Sequence, residues 1–576
     1  LKASLDQYRS LDPDAMAERT RLFALLETQA AALDLAGREP GLAAELYVQR
    51  LVAEITELEY TLIPHGLHVA GRGLGPAERA EMLTHAAAAM PELAENSALA
   101  GLVQVIVADD EVRLARFMAG VKVKAETPLA EAIGRLVALN AGLATNEELD
   151  GIVRALDARF VPPSPSGDVL RTPDLLPTGR NLHGFDPFGI PSAFALQDGA
   201  RQAALVLEHY MKGSGRLPET VAIVLWGTDN LKTGGAALAQ ALALMGARPR
   251  HDAYNRVCGA ELIPLAELKR PRIDTVITLS GIFRDLLPIQ ASMLAEASYL
   301  AAMADEPAEW NFIRKHAQAY CAAHGCETEA AAYRVFTNAD GAYGANVNML
   351  IASSAWSDDE EIARTYTARK SFAIDRKGKT SHQAEALDAI LGEVDMAYQN
   401  LDSVEVGVTT IEHYFDTLGG LSKAVSAARG GAELPVLISD QTQGEGKVRS
   451  LGEQVALETR TRTLNPKWFE GMLRHGYEGV QHIEAQVTNT MGWSATTGGV
   501  DPWVYQQIGE TFILDAAMRR RLSDLNPAAA ARVVRRLMEA HERNYWQPDP
   551  ETLEALRQAS DEMEDRLEGL VMEAAE

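Results

Sequence analysis

VAIVLWGTDNLKTGG (Val221 to Gly235) and IDTVITLSGIFRDLLP (Ile273 to Pro288) each start as a short β-branched apolar run and break at Gly, Thr, Ser or Asp into a helical pattern. This is how a strand and the helix after it read in a parallel βαβ unit. A strand buried on both faces takes apolar residues at nearly every position, and the turn at its carboxyl end takes small or capping ones. Ligands of open α/β sheets lie outside the carboxyl ends of such strands, so Trp226 to Gly235 and Ser280 to Asp285 are the first places to expect a site.

Outward from these two units the pattern changes. Residues 1–160 read as a helical domain: Ala, Leu, Glu and Arg dominate, and RLFALLETQAAALDLA, AAELYVQRLVAEITELEY and EAIGRLVALN carry apolar residues at spacings of three and four. The stretch VPPSPSGDVLRTPDLLPTG, from Val161 to Gly179, is too rich in Pro and Gly for helix or central strand and marks a boundary or a binding loop. The expected class is therefore α/β. A helical N-terminal region (1–160) precedes a parallel, Rossmann-like α/β domain (161–290), a mostly helical segment (291–400) and a mixed α/β segment with a helical C-terminus (401–576).

The 576 residues, 47% of them hydrophobic, are ample for several cores. With 54 Lys and Arg against 80 Asp and Glu, the formal charge of −26 opposes binding to nucleic acid or anionic lipid. No window approaches the roughly 20 apolar residues of a membrane span, and LKASLDQYRSLD lacks a signal-peptide layout, so a cytoplasmic location is expected. Cys258, Cys321 and Cys326 make neither a disulfide framework nor a CxxC metal site, and read as isolated buried or surface thiols.

Several motifs fail on inspection. GTDNLKTGG resembles a phosphate loop, but Leu231 stands where the nucleotide signature needs Gly before its Lys, so ATP binding by this chain is not expected. No GxGxxG follows a strand, and HERNY (His541 to Tyr545) lacks the second His of a zinc-protease helix.

WGTDNLKTGG, ELIPLAELKRPRID and SGIFRDLLP, with DEPAEWNFIRKH (Asp305 to His316), NADGAYGANVN (Asn338 to Asn348) and HYFDTLGG (His413 to Gly420), closely resemble the large, porphyrin-binding subunits of the magnesium chelatase and cobaltochelatase family. The resemblance continues through SDQTQGEGKVRSL (Ser439 to Leu451), LNPKWFEGM (Leu464 to Met472), HGYEGV (His475 to Val480) and TNTMGWSATTG (Thr488 to Gly498). It thins before residue 160, where only LIPHGLHV (Leu62 to Val69) carries it.

The resemblance implies ATP-dependent insertion of Mg²⁺ into protoporphyrin IX in bacteriochlorophyll or chlorophyll biosynthesis. ATP would be hydrolysed by AAA+ partner subunits of the I and D type, and the methyltransferase acting on Mg-protoporphyrin would be a further partner. WGTDN, NFIRKH and an uninterrupted HYFD favour magnesium over the cobalt branch. The family's large subunit is longer, and its Gly-Thr-His-Gly-Ser-like stretch followed by Glu has no counterpart between Leu1 and Glu576. The chain is therefore expected to be the C-terminal half of such a subunit, incomplete as an enzyme; the alternatives are a cobaltochelatase large subunit, inserting cobalt into a corrinoid precursor, and a noncatalytic tetrapyrrole carrier or sensor.

Insertion of a divalent ion removes two pyrrole N–H protons and strips water from the ion, work suited to hard oxygen ligands and a base near neutral pKa. Glu412, His413 and Asp416 in TTIEHYFDTLGG supply these groups. They are the expected catalytic residues, with His413 and Asp416 also as metal ligands that would share a face if the segment is helical. A flat macrocycle needs an aromatic-lined slot, for which Trp226, Phe283, Trp468, Trp493, Trp503 and Tyr505 are candidates, and Arg284 could clamp a propionate. His65 and His68 are spaced like a metal pair, but His68 reads as structural.

Overall fold

The computed structural model describes residues 1–569 except 13–14, 36, 65, 89, 95–100, 125, 165–168, 170–174 and 182–184. His65 and much of the Pro- and Gly-rich stretch after Val161 therefore lie outside the described residues.

The strands are β1 (Thr220–Leu225), β2 (Ala247–His251), β3 (Val257–Leu262), β4 (Asp274–Leu279), β5 (Val335–Thr337), β6 (Phe372–Ile374), β7 (Thr380–His382), β8 (Met396–Leu401), β9 (Val436–Asp440) and β10 (Lys447–Ser450). Eight of them form one sheet in the order β10-β9-β8-β1-β4-β5-β6-β7, and β2 and β3 form a separate hairpin. The five central strands from β9 to β5 are parallel, while β10 pairs antiparallel with β9 at one edge and β6 and β7 extend the other through successive antiparallel pairings. The sheet thus draws strands from residue 220 to residue 450 and crosses both 290 and 400, with β5 to β8 inside the segment that reads as mostly helical.

Every residue of β1, β4 and β8 is buried, which explains the apolar reading of β1 and of the centre of β4. Alternation along β1 sends Val221, Ile223 and Leu225 into one core and Ala222 and Val224 into the other. Helices Ala193–Ser214, Ala236–Met245 and Pro288–Met303 cover the first face, and Asp359–Lys370, Gly420–Ala428 and Tyr477–Thr497 cover the second. The chain moves from β1 outward to β4 and β5, then returns to β8 and β9 on the other side of β1. The strand order therefore reverses between β1 and β8, the place where open α/β sheets bind ligands.

The N-terminal region is helical, as its spacing predicts, with two small cores. One gathers Leu26, Tyr47 and Leu51, the other Leu83, Ile133 and Leu136. It is tied to the sheet by Glu57, which pairs with Lys447 and Arg449, and by the Leu67 amide, which donates to His475 Nε2 at 3.0 Å. No helix among the described residues is long and apolar enough to cross a membrane.

Candidate functional site

At the carboxyl end of β1, Trp226 precedes the short helix Gly227–Thr233, and at the end of β4, Ser280 caps the helix Gly281–Leu286. Ser280 Oγ accepts from the Phe283 amide and from the Gly227 amide, both at 3.1 Å, so one hydroxyl joins the two loops. A Cβ on Gly227 would lie 2.6 Å from Ile282 Cγ2, and one on Gly281 would lie 2.3 Å from the Tyr343 ring. Both glycines are therefore required by close approach, and through Tyr343 the contact extends to the loop after β5.

Asp416 completes this interlock. Its carboxylate is fully buried and accepts from the Ala345 amide at 2.6 Å and the Asn348 amide at 3.1 Å, which fastens HYFD to NADGAYGANVN. Glu458 does the same for the preceding segment, accepting from the Val408 amide, the Thr409 amide and the Thr409 hydroxyl at 2.7–2.9 Å. Trp493 Nε1 donates to the Val408 carbonyl at 2.7 Å, and the Asn489 amide group donates to the Thr409 carbonyl at 2.9 Å. Much of the motif density is thus explained by segments that hold residues 408–420 against the sheet edge.

The expected pairing of His413 with Asp416 is not formed. Glu412–Tyr414 is a single helical turn, and Phe415–Gly419 continues as a π-helix, so the α-helical i, i+3 geometry does not apply. Glu412 and His413 are exposed, with Asn348 Nδ2 donating to Glu412 Oε1 at 3.2 Å, while Asp416 points inward with both oxygens bonded to backbone amides. Among the described residues no group of three or more His, Cys, Asp or Glu side chains is arranged to hold a metal ion.

Of the expected ring-lined slot, Trp226 stands at the edge. It is half-buried, its ring lies 5.2 Å from that of Tyr414, and its Nε1 donates to Gln399 Oε1 at 3.1 Å. Phe283, Trp468, Trp493 and Tyr505 are instead buried in the cores, Tyr505 bonding Ser494 at 2.6 Å, because each fills volume between elements. Trp503 packs under Arg460, whose guanidinium also reaches the Leu33 and Asp34 carbonyls of the N-terminal region. Arg284 pairs with Asp285 and donates to the carbonyls of Asn338, Ala339 and Ala342, but its buried Nη2 has no partner among the described residues. His68 pairs with Glu148 at 3.0 Å, a tie within the N-terminal region.

Two carboxylates escaped the sequence reading. Asp229, in the first turn after β1, is buried, and burial pushes its pKa up to about 6 against the pull of Lys232. Asp402 directly follows β8 across the strand-order reversal; burial and the negative charge of Asp229 push it well above the usual carboxylate range, and its Oδ2 has no hydrogen-bond partner among the described residues. Burial and these same two carboxylates, with Glu458, also push the Tyr414 hydroxyl up. The available signal was a polar residue just beyond each of two buried strands. On the β4–β5 side, the buried Lys370 amine donates to the Leu279 carbonyl and Asn338 Oδ1, and burial lowers it to about 8 although Asp416 opposes the shift.

Beyond β8 and β9 a cavity of about 190 Å³ is lined by Leu401, Asp440, Arg449, Glu458 and Arg462. It is smaller than the roughly 300–1,000 Å³ that encloses a drug-sized ligand.

A family model described as CobN/Magnesium Chelatase matches residues 1–553. The chain is 51% identical over 574 residues to the H subunit of the magnesium chelatase of Rhodobacter capsulatus, covering all of this chain and 44% of that protein. It is 36% identical over 411 residues to the CobN subunit of the aerobic cobaltochelatase of Sinorhizobium sp, covering 70% of this chain and 32% of that one. The solved catalytic subunit of cobaltochelatase from Mycobacterium tuberculosis superposes with a TM-score of 0.84 at 31% identity, over 98% of this chain and 51% of that one. The chain thus spans less than half the length of its magnesium-chelatase relative, and it belongs to the CobN/magnesium chelatase family.

Proposed function

We propose that this chain supplies the porphyrin-facing sheet edge of a subunit that inserts Mg²⁺ into protoporphyrin IX. The observation that carries the reading is the meeting of the β1, β4, β5 and β8 loops around the tilted Trp226–Tyr414 ring pair, with the exposed Glu412 and His413 beside them. The higher identity to a magnesium-chelatase subunit than to a cobaltochelatase subunit supports the choice of ion.

Each insertion exchanges two pyrrole protons for one Mg²⁺, so the site must accept protons at neutral pH and bring up a strongly hydrated cation. In this reading the macrocycle lies against Trp226, and the buried Arg284 holds the loop after β5 in place through the carbonyls of Asn338, Ala339 and Ala342. The His413 imidazole takes pyrrole protons, Glu412 draws in the hydrated ion, and Asp229 and Asp402 store protons behind the Trp226–Tyr414 pair. Asp416 keeps the His413 segment in place. ATP hydrolysis belongs to separate AAA+ subunits of I and D type, the product passes to the downstream methyltransferase, and the location is cytoplasmic.

Metal insertion by the full-length protein with its partner subunits tests the reading, with Mg²⁺ and protoporphyrin compared with Co²⁺ and a corrinoid precursor. Magnesium insertion is expected, since the donors at the proposed edge are oxygen and imidazole groups, which suit a hard ion better than thiolates do. Cobalt insertion alone would move the chain to the other branch, and porphyrin binding without insertion of either ion would make it a carrier.

A further inference from the structure

Two of the three cysteines, read from the sequence as separate buried or surface thiols, meet in the fold. Cys321 lies in the last turn of the helix Phe312–His324, and Cys326 lies in the short link to the helix Thr328–Ala331. Their sulfurs are 3.7 Å apart, joined by a weak S–H···S hydrogen bond. Both thiols are partly exposed and pack against the core under the β4 face of the sheet.

We propose that Cys321 and Cys326 form a redox-active dithiol that closes to an intramolecular disulfide by exchange with a low-molecular-weight disulfide. Shortening the sulfur separation to the bonded length of about 2.05 Å requires about 1.7 Å of travel, within reach of side-chain rotation and a small shift of the link. The link has that freedom. Gly325 ends the helix at φ 64°, and no atom of the described residues lies within 4 Å of where its Cβ would be.

The exchange balances. One thiol loses its proton, and the thiolate attacks the reagent disulfide, releasing one reagent thiol and leaving a mixed disulfide. The second thiol loses its proton and attacks the protein sulfur of the mixed disulfide, releasing the second reagent thiol. The protein gives up two electrons, the reagent is reduced to two thiols, and the two cysteine protons end on those thiols. Burial and the neighbouring Cys326 sulfur raise the Cys321 thiol, so its exchange speeds up as pH rises. Cys258 offers an internal contrast, since it is exposed and its thiol donates to the Arg250 carbonyl at 3.4 Å.

The test equilibrates the chain in glutathione buffers from fully reduced to fully oxidised, traps free thiols with N-ethylmaleimide and reads the peptides by mass spectrometry. In the oxidised buffers the peptide holding Cys321 and Cys326 is expected to lose two hydrogens and take no label. Cys258 should remain trappable or carry one glutathione. Cys321→Ser and Cys326→Ser should each convert the partner from closed disulfide to glutathione adduct, which reads the pair even if one variant folds poorly. Independent labelling of Cys321 and Cys326 in wild type at every buffer ratio, or glutathione on both at once, would overturn the proposal.

Discussion

Asp416 and Glu458 on one side, and Asp229 and Asp402 on the other, are four carboxylates at the same edge of one sheet with opposite surroundings. The first two accept from backbone amides and hold loops together. For Asp229 and Asp402 burial outweighs the donors and cations around them and drives both toward the protonated form. A buried carboxylate whose oxygens are all engaged fixes architecture, whereas one left short of donors is poised to take and release protons near neutral pH. Which residues do chemistry here is therefore better judged from satisfied hydrogen bonds than from which acidic residue stands closest to His413 in sequence.

The largest effect expected from this contrast is on Asp416. Asp416→Ala would leave the Ala345 and Asn348 amides buried and unpaired, at a cost of about 3 kcal/mol or more. Thermal and denaturant unfolding should show a clear loss of stability, and any loss of chelation should follow from it. A folded variant with an unchanged midpoint would place Asp416 among the proton-handling groups instead.

Asp229→Asn should act in the reverse direction. A carboxyl raised from the usual range to about 6 holds its proton more tightly in the folded chain than in the unfolded one. Its contribution to stability is then full at low pH and is lost as pH rises from about 4 through 6, for a total of up to about 3 kcal/mol. The amide variant should be more stable than wild type at pH 7 and should lack this part of the pH dependence. A pH–stability profile that the substitution leaves unchanged would mean that Asp229 has found a partner.

Trp226→Ala carries the smallest effect. Removing this half-buried ring at the edge should weaken porphyrin binding by about 3- to 10-fold, with a smaller change in folding than at Asp416. Fluorescence titration checks this, and unchanged affinity would move the macrocycle away from β1.

Strands β1 and β4 were legible because they are buried on both faces and read as β-branched, mostly apolar runs ending in loop residues. Trp226 and Arg284 stand at the carboxyl ends of these strands. Three features were not legible. The short antiparallel edge strands β6, β7 and β10 span only three or four residues and leave too little pattern to detect. The π-helical turn at Phe415–Gly419 separates His413 from Asp416, and sequence spacing assumes an α-helix there. Asp402 owes its character to tertiary neighbours, of which DSVEV gives no sign, while Cys321 and Cys326 meet because Gly325 ends the helix between them and turns the chain back. The buried aromatic residues show the same limit, since a tryptophan that fills a core and one that faces a ligand are identical in sequence.

The central claim, that proton transfer at this edge runs through an exposed His413 held in place by Asp416, is tested most directly by His413→Ala in the full-length enzyme with its ATPase subunits. Steady-state Mg²⁺ insertion and porphyrin titration would be measured on the same preparations, with circular dichroism as a folding check. The insertion rate should fall by about 10²- to 10⁴-fold while porphyrin affinity and thermal midpoint stay near wild type. Near-normal turnover in a folded variant would contradict the account.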